Sequence, residues 1–258
     1  MAFEAVVTDL DGTVVRRDGS VSEATLRAAR ALGERGVPLV AATARTPNGV
    51  LALSELAPTL DFAVCCSGAL GYVPATRTIA WREPMPRDAV TGLTETLARR
   101  LPTAGWAAFD GSEWRMTAAY QAMRPSVHKG PVSVVQALGE MQPCAMVVGH
   151  EGWDAVKLMA ELAGLTTLGL HRAGSRFVEV TAASVDKASG VLHALRTLGV
   201  APERAIAFGD MPIDTAMFSV VGRSVAMADA PPEVLAAATD RTASVEDDGF
   251  ARYLDRCG

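Results

Sequence analysis

Three short apolar runs open the chain: Phe3 to Thr8, Val37 to Thr43 and Phe62 to Ser67. Between the first two lies the stretch EATLRAARALGERG, which reads as a helix with Ser22 placed to cap its start and Gly36 to end it. Strand, helix and strand joined by short links is the order of a right-handed βαβ unit, so a parallel sheet is expected. A hairpin is expected next, around Leu70 to Trp81.

The pattern changes at Glu83-Pro84-Met85-Pro86, whose two prolines suit a linker better than the interior of an element. Beyond it the spacing predicts a helix (Arg87 to Leu101), a hairpin turning at Asp110-Gly111 and a second helix (Val132 to Met141). A strand (Ala145 to Gly149), a third helix (Trp153 to Ala163) and strands at Thr166 to His171 and Arg176 to Val180 follow. Strands paired by tight turns imply an antiparallel sheet with helices on one face. After Thr181 the alternation resumes: a helix from Lys187 to Leu198 stopped by Gly199, a strand at Ala205 to Phe208, a short helix near Asp214, a strand at Ser224 to Ala228 and a helix from Pro231. The expected fold is therefore α/β: a doubly wound, Rossmann-like core from residues 1–83 and 182–258, interrupted by an inserted α+β domain at 84–181.

Composition narrows the function. With 258 residues, 49% hydrophobic and 21% charged, the chain has enough apolar material for two packed domains. A formal net charge of −5 offers no electrostatic footprint for nucleic acid or an anionic membrane, so neither is expected as a partner. Cys65, Cys66, Cys144 and Cys257 form no C-x-x-C pair, and buried free thiols of a reducing cytoplasm are the expected state. The first residues lack a basic start and meet acids within a few positions, unlike a leader peptide, and no run approaches the roughly 20 apolar residues of a membrane span.

In open α/β sheets ligands bind beyond the carboxyl ends of the strands, and those ends hold Asp9, Asp11, Thr13, Thr43, Ser67 and Asp210. Three carboxylates converging there would repel one another unless a cation or proton intervenes, and hard divalent cations prefer oxygen, which makes Mg2+ the expected cofactor. Phosphoryl transfer needs a nucleophile, neutralisation of the phosphate oxygens and a proton for the departing alkoxide. Asp9 can attack phosphorus and Asp11, two residues on, can handle the proton. Gly12 frees the turn, and Thr13 can orient Asp11.

Asp9-Leu10-Asp11-Gly12-Thr13, Thr43, Lys187 and Gly209-Asp210-Met211-Pro212-Ile213-Asp214 resemble, in order, the four motifs of the haloacid dehalogenase (HAD) superfamily. The insertion of about one hundred residues between the second and third motifs is similar to the C2-type cap of the Cof-like phosphatases. Ala226-Met227-Ala228-Asp229-Ala230 and Glu246-Asp247-Asp248-Gly249 resemble the C-terminal pattern of that family. The resemblance implies Asp9 as nucleophile and metal ligand, Asp11 as general acid-base and a metal ligand through its carbonyl, and Asp210 as a side-chain metal ligand. It places the phosphoryl group against Leu10, Thr43, Ala44 and Lys187. Asp214 would orient Lys187, support the metal's ligands or simply complement a helix dipole.

Three positions depart from the family: Ile213 where Asn is usual, Ala44 where Gly is common, and Ser67 where Asn is common. Ile213 removes a hydrogen-bonding group beside the metal and phosphate. The substrate implied is a small phosphorylated metabolite such as a sugar phosphate, hydrolysed through an aspartyl-phosphate, with His171, Arg172, Arg176 and Arg115 as candidates for recognising the rest of it. A phosphomutase or phosphotransferase using the same intermediate, or a non-catalytic phosphate-ligand-binding protein, are the alternatives. A monomer or homodimer is expected. Trp106, Trp114 and Trp153 are core or interface residues, with core the default.

Overall fold

A computed structural model describes residues 3–124 and 130–257; Met1 and Ala2, at the start of the N-terminal segment read above, lie outside them. The chain forms two compact units, Met1–Trp81 with Asp186–Gly258, and Arg82–Val185.

The first unit opens with β1 (Ala5–Thr8), α1 (Glu23–Glu34), β2 (Leu39–Ala42), α2 (Pro47–Leu51) and β3 (Phe62–Cys65). A hairpin of β4 (Leu70–Val73) and β5 (Thr78–Arg82) follows. Ser22 caps α1 by accepting from the Thr25 N–H, and Gly36, at φ +68°, sits where the helix terminates. α2 was not anticipated; its start is fixed by Thr46, which accepts from the Gly49 N–H, and by Pro47.

The second unit contains α3 (Arg87–Arg100), β6 (Ala104–Phe109), β7 (Trp114–Met116), α4 (Ala118–Met123) and β8 (Val132–Val134). It continues through β9 (Ala145–His150), α5 (Ala155–Ala163), β10 (Gly169–Ala173) and β11 (Phe177–Thr181). Its sheet runs β10-β11-β9-β6-β7-β8 and is antiparallel except where β8 lies parallel to β7. The helix expected at Val132 to Met141 is absent: Val132, Ser133 and Val134 pair with Trp114, Arg115 and Met116 instead. Leu138 and Met141 still turn inward, so a loop packed on the core, bent at Gly139 (φ +62°), imitates the spacing of a helix.

Helices also cover both faces of this sheet rather than one. Val90, Leu93 and Leu97 of α3 and Leu158 and Leu162 of α5 pack against Trp106, Ala108, Met146 and Val178. The alternate residue Gly105 faces α4, so closely that a Cβ there would lie 2.2 Å from the Tyr120 nitrogen. Trp106 and Trp114 are buried core residues.

The chain returns to the first unit with α6 (Lys187–Leu198), β12 (Ala205–Gly209), α7 (Thr215–Phe218) and β13 (Arg223–Ala226). α8 (Pro232–Ala237), β14 (Asp240–Arg241) and α9 (Gly249–Cys257) complete it. The sheet order is β14-β13-β12-β1-β2-β3-β4-β5, with β4 antiparallel to β3 and the strands from β14 to β3 parallel. Every residue of β1, β2 and β3 is buried, as expected of parallel strands covered on both faces. Ala5, Val7, Val40 and Val64 pack with Val191, Ala194 and Leu195 of α6. The doubly wound α/β core read from the alternation is thus present, and the strand order reverses beside β1, where a crevice for ligands is expected.

Candidate active site

The crossovers bring four distant segments to the carboxyl ends of β1, β2, β3 and β12. Asp9 follows β1, and its N–H donates to the Phe208 carbonyl at 2.9 Å, which carries the pairing of β1 with β12 past the strand end. The chain then turns tightly, with the Val14 and Val15 N–H groups donating to the Leu10 carbonyl. Gly12 lies at φ +92°, and a Cβ there would fall 2.4 Å from Asp210 Oδ2. Only glycine satisfies both the positive φ and that approach. Thr13 donates to Asp210 Oδ1 at 3.0 Å, so it orients Asp210, whereas the sequence had suggested that it orients Asp11.

Lys187 is the first residue of α6, whose start is fixed by a reciprocal capping box between Asp186 and Ser189. The helix approaches β3 closely because Gly68, at φ +116°, has no side chain: a Cβ would lie 2.0 Å from the Asp186 carbonyl oxygen. Lys187 is 2% exposed, and its Nζ donates to Asp9 Oδ1 and Asp214 Oδ1, both at 2.6 Å. Asp214 is fully buried, and its Oδ2 accepts from the Asp210 and Met211 N–H groups at 3.0 and 2.9 Å. Both Asp214 oxygens are thereby engaged, which makes Asp214 an anchor for Lys187 and for the loop after β12.

Carboxylate oxygens of Asp9, Asp210 and Asp214, one from each, lie within 4.8 Å of one another. Three carboxyl groups share one ammonium there. Burial, aided by the Asp214 and Asp210 charges and opposed by Lys187, pushes Asp9 up to about 8. Burial and Asp214 lift Asp210 to about 6, with Thr13 and Lys187 opposing. Burial alone would lower Lys187, but Asp214 and Asp9 outweigh it and hold the ammonium above its ordinary value. Burial outweighs the 2.6 Å ion pair with Lys187 at Asp9. Asp9 Oδ2 and Asp210 Oδ2 have no hydrogen-bond donor among the described residues, so the donor set fits a hard divalent cation.

Thr43, Ala44 and Ser67 occupy the neighbouring strand ends. Buried Thr43 accepts from the Arg45 N–H through Oγ1 at 3.1 Å, and its carbonyl accepts from the Ser67 N–H at 3.0 Å. Cys66 and Ser67 both take left-handed φ values, 50° and 51°, uncommon for side-chain-bearing residues and typical of built sites. Leu10 is fully buried, Ala44 is exposed and Ile213 is half-buried in the single turn Pro212–Asp214.

Asp11 stands apart from the cluster. Its half-exposed carboxylate is held by Arg45, Nε to Oδ2 at 2.8 Å and Nη2 to Oδ1 at 2.6 Å. Arg45 was not singled out from the sequence, although it directly follows Thr43-Ala44 in the second strand-end loop. His171, Arg172 and Arg176 belong to the second unit, on the β10–β11 hairpin. His171 Nε2 meets Thr181 Oγ1 at 3.2 Å and the Val185 carbonyl at 3.3 Å, whereas Arg172 and Arg176 are exposed. Arg115 is tied to Glu113 and the Leu138 carbonyl, a local structural role.

The family pattern of haloacid dehalogenase-like hydrolases matches residues 6–254, and this chain belongs to that family. A Haemophilus influenzae protein is 27% identical over 259 residues, covering 99% of this chain and 98% of that one. The phosphoglycolate phosphatase of Natronomonas pharaonis is 26% identical over 253 residues, 97% and 96% of the two chains. Among solved structures, a haloacid dehalogenase-like hydrolase from Bacteroides thetaiotaomicron superposes with a TM-score of 0.81 at 22% identity, over 99% of this chain and 100% of that one. A sugar phosphatase of HAD subclass IIB does so at 0.84 and 20%, over 99% of each. Both likenesses establish the shared fold. No helix among the described residues is long and apolar enough to cross a membrane.

Proposed function

We propose that this hydrolase is a Mg2+-dependent phosphatase for a small phosphorylated metabolite, with sugar phosphates the first class to test. The observation that carries the reading is the buried Asp9–Lys187–Asp214 chain beside Asp210. It provides a fixed carboxylate nucleophile, an ammonium for phosphoryl oxygens and two carboxylate oxygens for a cation. The phosphatase names of relatives and the sugar-phosphatase fold neighbour support the substrate class.

Asp9 and Asp210 side chains, with the Asp11 carbonyl, would hold Mg2+, whose charge would offset that of the phosphate and the carboxylates. Asp9 attacks phosphorus, the ester bond breaks, and the phosphoryl group becomes an aspartyl-phosphate while Asp11 gives the alkoxide its proton. Asp11 then takes a proton from water as the water oxygen attacks phosphorus; the bond from Asp9 to phosphorus breaks, which restores the Asp9 carboxylate and frees phosphate. Lys187, Thr43 and the Leu10 and Ala44 N–H groups steady the phosphoryl oxygens. Asp214 serves this step by keeping Lys187 aimed at Asp9. Residues 84–181 act as a cap that selects the remainder of the substrate, with His171, Arg172 and Arg176 as its candidates. Four cysteines without a C-x-x-C pair, three of them buried, suit a cytoplasmic location.

Phosphate release across a panel of sugar phosphates, polyol phosphates, nucleotides and cofactors, with Mg2+ and with EDTA, tests the reading. Turnover that persists in EDTA would remove Asp210 from its role. Phosphorylated product in place of free phosphate would redirect the reading to a phosphotransferase. Ile213, which offers no hydrogen bond where the family has Asn, favours a non-catalytic ligand-binding role if no phosphate ester is turned over.

A further inference from the structure

We propose that Arg45 is the positioning residue for Asp11, holding the carboxylate of the proton carrier in one orientation after the end of β1. The proposal rests on the reading of Asp11 as general acid-base.

Arg45 is pinned at both ends. Its N–H donates to Thr43 Oγ1 at 3.1 Å and its carbonyl accepts from the Cys66 N–H at 3.0 Å, so the backbone is tied to the ends of β2 and β3. Nη1 donates to the Gly49 carbonyl in α2 at 3.1 Å. That leaves Nε and Nη2 as a flat fork, and both prongs meet Asp11. A Cβ on residue 49 would lie 3.2 Å from Arg45 Cβ, so glycine there gives the arginine stem its path along the helix.

Asp11 has no comparable support of its own. Its side chain is 58% exposed, and among the described residues Arg45 supplies the hydrogen bonds to both carboxylate oxygens. A short exposed side chain without a partner exchanges rotamers freely, and a proton carrier misplaced by an ångström loses much of its effect. A planar two-pronged grip fixes the carboxylate in direction as well as distance, which the point charge of a lysine does not. Nε, Nη1 and Nη2 each have an acceptor in this arrangement, and two of the three contacts go to Asp11.

The test uses the full-length protein with Mg2+ and p-nitrophenyl phosphate, in wild type, Arg45→Ala, Arg45→Lys, Asp11→Asn and the Arg45→Ala/Asp11→Asn double variant. Arg45→Ala is expected to lower kcat on the order of tenfold with KM within about twofold of wild type. Arg45→Lys should not restore the rate, and added guanidinium ion should restore part of it to Arg45→Ala. In the Asp11→Asn background the same substitution should have no further effect, since a residue acting through Asp11 cannot act without it. A rise in KM with kcat unchanged, or losses that multiply in the double variant, would overturn the proposal by making Arg45 an independent substrate contact. If Asp11→Asn alone keeps the wild-type rate, the assignment of Asp11 fails first and takes the proposal with it. Should Arg45→Ala not fold, Gly49→Ala, which crowds the arginine stem, carries the test: a lowered kcat that vanishes in the Asp11→Asn background supports positioning, and an unchanged kcat opposes it.

Discussion

The strand ends of the first unit and the β10–β11 turn of the second treat charge in opposite ways. In the first, Asp9, Lys187 and Asp214 come from residues as much as 205 positions apart and are buried together at the ends of parallel strands. In the second, Arg172 and Arg176 share one hairpin and stay in water. Parallel strands need long crossovers, so their common end collects side chains from remote segments and shields them. An antiparallel hairpin joins sequence neighbours and leaves its turn solvated. The first arrangement suits chemistry that requires fixed, desolvated groups. The second suits contacts that vary with the ligand.

The sharpest test of that contrast is Asp9→Asn. Turnover is expected to fall on the order of 10⁴-fold or more while circular dichroism is unchanged, because the nucleophile is lost but the fold is not. An unaltered rate would end the covalent mechanism.

Asp214→Ala should destabilise the protein by about 3–5 kcal/mol in urea unfolding, since it strips a buried ammonium of one of its two partners. A loss below about 1 kcal/mol, the size typical of surface pairs, would place the cluster in water and erase the difference between the units.

The metal-free protein should lose stability as pH rises from about 4 to about 8. Asp9 is raised to about 8 in the folded state from an ordinary 3.8, so within that window the folded chain holds a proton that the unfolded chain has released. Below the window both states are protonated and above it both are ionised, so the contribution changes only between them. Thermal melts in EDTA should show this slope in wild type and a flatter one in Asp9→Asn; equal slopes would exclude Asp9 as its source.

Arg172→Ala and Arg176→Ala should leave stability within about 0.5 kcal/mol and shift KM, not kcat, for the preferred substrate. An unchanged KM across the panel would retire both from recognition. Ile213→Asn is expected to raise kcat by a few-fold, roughly 1 kcal/mol of added hydrogen bonding in the transition state; a loss would mean that Ile213 packs a remodelled site.

Much of the first unit was legible because parallel strands read as apolar runs and their ends are marked by polar residues. Asp9, Thr43 and Asp210 were placed at strand ends that way, while Lys187, a lone charge opening a helix, became a candidate only from its order among the other motifs. The second unit was less legible. Leu138 and Met141 satisfy a helical spacing from within a loop, and α4 was missed because a glycine, Gly105, creates the groove it fills.

By itself the sequence determined the alternation of elements, the inserted segment and the chemical identity of the acid pair, since these depend on local spacing and residue type. Tertiary structure alone decided the pairings: Thr13 with Asp210 rather than Asp11, Asp214 with Lys187, and Arg45 with Asp11. Such choices depend on approach to 2.6–3.0 Å between segments 27 to 197 residues apart, and no local pattern encodes that distance.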